Sequence, residues 1–89
     1  MKVDFTKAKV EVTFGEYKEM DIAKAVGNAI HQNTSDIGVD ETARNIYHSE
    51  GELEIPDEQI SAIIYALSNA STILVSAKKA ALNLLKLTH

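Results

Sequence analysis

"YALSNASTILVSAKKAALNLL", residues 65–85, keeps an apolar stripe at helical spacing through a run of poor helix formers. Ile63, Leu67, Ala70, Leu74, Ala77, Ala81 and Leu84 recur on one heptad-like face, joined by Ala66, Ile73 and Ala80. Opposing that continuity, Ser68, Asn69, Ser71 and Thr72 all have weak helix propensity, and Ser71 is placed to cap a fresh helix at Thr72. Length sharpens the choice. A single helix over residues 57–87 would run about 46 Å at ~1.5 Å per residue, whereas a compact domain of this size is roughly 30 Å across. Such a rod overhangs and leaves Leu82, Leu84, Leu85 and Leu87 in water unless a partner covers them. A break near Asn69 would instead give an antiparallel helical hairpin and a self-sufficient monomer. The unbroken phase favours a long or kinked helix, and with it self-association through the seven residues from Ile63 to Leu84 named above.

Upstream of this stretch, "PDEQ" is a helix start, with Pro56 tolerated in a first turn and Asp57 and Glu58 favourably placed against the dipole. "GELEI" alternates Leu53 and Ile55 with Glu52 and Glu54 and predicts a strand ending at Pro56. Asp40 is positioned to cap a short helix, "ETARNIYHS", that ends at Gly51, with "NTSDIG" as the preceding loop. Asp21 is expected to cap a helix from about Ile22 to Gln32, in which Gly27 is best tolerated where another backbone packs close. Closer to the start, "KAKVEVTF" sets Val10, Val12 and Phe14 on one strand face and Lys9, Glu11 and Thr13 on the other, and Gly15 offers a hairpin turn. Val3 and Phe5 fall on the opposite parity, which requires a bend near Thr6 or Lys7 or a separate short strand. The pattern predicts one α+β domain over residues 1–89: a small antiparallel sheet, made of the hairpin plus a third strand, packed by helices.

Composition is that of an ordinary globular chain, with 45% apolar and 25% charged residues. The first residues lack a cationic stretch followed by an apolar run, and no segment reaches the length of a membrane span, so a soluble, cytoplasmic protein is expected. Cysteine is absent, which excludes disulfides, thiolate nucleophiles and sulfur-based zinc sites. His31, His48 and His89 fall on different elements with no helical metal-ligand spacing, and the four glycines form neither a dinucleotide fingerprint nor a phosphate loop. Tyr47 and His48 beside Glu50 point apart as helical neighbours, which argues against an acid/base cluster there. Neither a calcium-loop spacing in "DIGVDE" nor a basic face for nucleic acid is present. No catalytic residue, metal or cofactor is therefore expected.

Charge is unevenly spread. Residues 36–58 hold eight acids against Arg44 alone, a net of -7, leaving +3 for the rest of a chain whose total is -4. Asp40, Glu41, Glu50, Glu52, Glu54, Asp57 and Glu58 thus form a candidate anionic surface for a basic protein partner. The cadence of "DIAKAVGNAI" and "DIGVDETARNIYHSEGELEIPDEQ" resembles small proteins of unassigned function encoded by bacteriophages and integrated mobile elements. That resemblance implies a bacterial or phage cytoplasmic setting and a role in binding or assembly, and supplies no functional residue. The expectation is a non-enzymatic protein that self-associates. The alternatives are an accessory inhibitor or adaptor that docks on a basic host or defence protein, and a small-ligand binder at a subunit interface.

Overall fold

The computed structural model describes residues 1–87; His89 and the side chain of Leu87 lie outside the described residues. The elements run β1 (Lys2–Val3), β2 (Ala8–Thr13), β3 (Glu16–Met20), α1 (Ala23–Asn33), α2 (Ile37–Tyr47), β4 (Leu53–Glu54), α3 (Ile60–Asn69) and α4 (Val75–Leu87). Short 3-10 turns at Phe5–Lys7 and Asp57–Gln59 precede β2 and α3. The α+β class holds.

The sheet is divided, contrary to the single three-stranded arrangement expected. β1 pairs with β4, Lys2 opposite Glu54 and Val3 opposite Leu53, while β2 and β3 form a separate hairpin. The cause lies in the turn between them. The Asp4 carboxylate accepts from the Thr6 amide at 2.8 Å and from the Thr6 hydroxyl, curling the chain so that Phe5 drops fully into the core. The same Thr6 bonds hold the Asp4 carboxyl below its ordinary aspartate range. Both devices inferred from the parity change, a bend and a separate short strand, are present.

Within the hairpin, Ala8 and Val10 are buried, yet Val12 is half-exposed and Phe14 is 96% exposed. The register shifts between Glu11 and Thr13, so Val12 is an inserted residue that ends the alternation expected to carry Phe14 inward. Gly15 closes the turn at φ 85°, the left-handed conformation that glycine alone adopts freely.

The helix α1 buries Val26, Ala29 and Ile30, and its first amide, that of Ala23, donates to Asp21 at 3.0 Å. The next helix begins earlier than expected. Asp36, not Asp40, caps α2 by accepting from the Val39 amide at 3.1 Å, which leaves only residues 34–36 between the two helices and frees Asp40 for other work. The two helices touch at Gly27, where an added Cβ would lie 2.8 Å from the Ala43 carbonyl oxygen and 2.8 Å from Tyr47 Cβ.

The long C-terminal helix does not exist as one rod: α3 ends at Asn69, and residues 70–74 are not helical before α4 starts. The Asn69 side-chain amide donates to the Tyr65 carbonyl at 2.8 Å, and Lys78 Nζ reaches back from α4 to the Ala70 carbonyl at 2.6 Å, so carbonyls at the end of α3 are satisfied by side chains. Thr72 donates to Gln32 at 2.7 Å, tying the connection to the end of α1. Ala70 and Ile73 are buried, which keeps the apolar side in the core across the break. The fold measures 36 × 25 × 22 Å, so no helix overhangs it. Among the described residues no helix is long and apolar enough to cross a membrane.

Candidate functional site

The seven residues expected to form an oligomer interface do not share a surface. Ile63, Leu67, Ala70, Ala77 and Ala81 are buried in the subunit's own core, Leu84 is half-buried against it, and Leu74 alone stands out, 77% exposed. The reason is the break at residues 70–74: it lets the stripe on α3 and the stripe on α4 both enter the subunit's own core, so burial that a second copy would have to supply is supplied within the chain.

The acidic stretch is partly engaged. Asp40 binds the His31 ring, while Glu54 and Asp57 each lie 3.2 Å from the Met1 ammonium, which also donates to the Ile55 carbonyl at 2.8 Å. Hydrogen bonds from that ammonium to Asp57 and Glu54 outweigh its partial burial and raise its pKa above the ordinary value. Glu41, Glu50, Glu52 and Glu58 are exposed and have no ion-pair partner among the described residues.

Two further surfaces emerge that sequence patterning alone does not single out. The first is the hairpin. All five residues of β3 are exposed, its outer edge is unpaired, and Phe14, Tyr17 and Met20 display apolar surface along it. Phe14 and Val12 also border a hollow of about 460 Å³ whose far wall is Val75, Ser76 and Lys79 at the start of α4. Such a strand edge is a template for pairing with another chain.

The second surface is a cleft of about 210 Å³ between α1 and α2. Gly27 and Ala43 form its floor, where the helices come closest. Asn28 and His31 line it from α1, and Asp40, Arg44, Tyr47 and His48 from α2 and its C-terminal end. The His31 Nδ1 contacts the Asp40 carboxylate, the His48 ring meets Tyr47 edge-on with centroids 5.0 Å apart, and Lys24 Nζ sits 5.8 Å from the centre of the Tyr47 ring. Two histidines on separate elements thus line the same cleft, each with its own neighbour. One sequence signal does point here. Lys24 and Tyr47, like His31 and Asp40, are mirror positions about the Ser35–Asp36 bond, which is how partners align in two antiparallel helices joined by a tight turn.

No protein-family model, curated protein sequence or solved structure matches this chain, so its function is to be sought in the hairpin edge, the acidic residues and the cleft themselves.

Proposed function

We propose that this protein is a non-enzymatic assembly module, in the phage or mobile-element cytoplasmic setting its sequence suggests, that pairs with a second copy of itself through the edge of β3. The observation that carries this reading is β3, exposed along its whole length with an unpaired outer edge, beside a 96% exposed Phe14. A second copy is favoured as occupant by the side chains along that edge. Antiparallel pairing about a two-fold axis at Tyr17 sets Tyr17 against Tyr17, Glu16 of each copy against Lys18 of the other, and Met20 toward the other copy's Phe14. Centring on Lys18 instead opposes like charges, so the first register is preferred.

Light scattering at tens of micromolar protein tests the pairing: twice the chain mass is expected for the wild type. Glu16→Lys should shift the population to monomer, and the double exchange Glu16→Lys with Lys18→Glu should restore it, because each copy then offers the reversed pair to the other. A wild-type monomer, or a double exchange no better than the single one, removes the proposal.

A second reading has its own support in the exposed, unpaired Glu41, Glu50, Glu52 and Glu58: an adaptor or inhibitor that docks on a basic host or defence protein. Reversing Glu50, Glu52 and Glu58 to Lys should abolish salt-sensitive binding to such a partner and leave self-pairing unchanged. Binding that survives the reversal counts against that docking surface.

A further inference from the structure

We propose that the cleft between α1 and α2 binds a small phosphorylated molecule, with Arg44 as its principal anchor. The inference is independent of self-pairing, since the cleft and the hairpin edge share no residue.

Arg44 is the only cation in a stretch with eight acids, yet its guanidinium has no ion-pair or hydrogen-bond partner among the described residues. Arg44 lines the cleft exposed and unpaired, free to offer its planar fork to an oxyanion. The only carboxylate lining the cleft, Asp40, is already turned to His31. Asn28, Tyr47 and His48 line the same space, and their side-chain polar groups make no hydrogen bond among the described residues. Lys24, over the Tyr47 ring, adds positive charge beside the cleft.

Donors arriving from two helices suit a tetrahedral group with several acceptor oxygens better than a flat carboxylate with two. A cation is poorly served, because the cleft has a single carboxylate and no group of three or more metal-binding side chains occurs among the described residues. Size narrows the ligand further. The cleft, about 210 Å³ and open to solvent, has room for a phosphate with a small substituent. The two helices come this close at the cleft because residue 27 is glycine.

The test is an NMR titration of the full chain with glycerol phosphate, inorganic phosphate and acetate at fixed ionic strength. Saturable shifts of the Asn28, Arg44 and His48 amides are expected with both phosphates and weaker ones with acetate. Arg44→Gln should weaken phosphate binding about tenfold or more, in line with loss of a charge-assisted pair, while circular dichroism confirms that its helices are retained. His48→Gln should weaken binding by a smaller factor. Equal responses to acetate and the phosphates would overturn the choice of ligand class. Unsaturable shifts, or undiminished binding by a folded Arg44→Gln, would overturn the site.

Discussion

Leu85→Ala is expected to destabilise the protein by about 2–5 kcal/mol, the range for emptying a fully buried leucine site. Leu74→Glu, eleven residues earlier in the same apolar phase, should change stability by no more than ~0.5 kcal/mol, as an exposed substitution does. The contrast separates a helix broken at residues 70–74 from a straight rod. In a rod with a partner on its stripe, Leu74 would lie in the seam and a charge there would be costly. In the broken chain Leu74 sits in the connection and faces water, while Leu85 is buried from α4. Thermal melts of the two variants at equal concentration decide it, and equal losses would refute the break at residues 70–74.

The second large effect is expected at Gly27. Alanine is worth about 1 kcal/mol more than glycine in a helix interior, and the backbone of Gly27 has no positive φ to forbid it. Sterics win nonetheless. The new methyl would lie 2.8 Å from a backbone oxygen of α2, which no side-chain rotation relieves, so the helices must separate along their whole contact. A net loss of roughly 2 kcal/mol follows from the usual cost of overpacking, or about 10 °C in melting temperature for a domain of this size. Gly51→Ala makes the opposite case. Nothing lies within 4 Å of its added methyl, and φ is not positive, so a gain of roughly 0.4–1 kcal/mol is expected from restricting the unfolded chain. Calorimetry on both variants checks the signs, and a Gly27→Ala protein as stable as wild type would mean that the helices are not in this contact.

These two positions also mark where the sequence is readable and where it is not. The alternation at Lys9–Val10, the carboxylate of Asp21 before a helix and Pro56 before another are local signals, and each lies beside the element it announces. Gly27 was legible as a place of close approach, though not what it approaches. Illegible features depend on distant partners. Lys2 and Val3 find Glu54 and Leu53 across most of the chain, so two alternating segments that look like one sheet become two ribbons. Asp36 and Asp40 are equally good caps in isolation; Asp36 wins, and Asp40 faces His31 across the short turn instead. The stripe from Ile63 to Leu84 reads as one seam because period alone records which side is apolar, not whether the helix is broken. Of the candidate sites, the interface stripe resolves into core, part of the acidic set is paired, and the cleft becomes visible only once α1 and α2 are laid side by side.

The ammonium of Lys78 on the Ala70 carbonyl has a bearing on how this polypeptide acquires its shape. The carbonyl just past α3 thus takes its partner from a side chain eight residues later, on the next helix. The finish of one rod is completed by the seating of another, so the two are tied at that point by a charge rather than by packing alone.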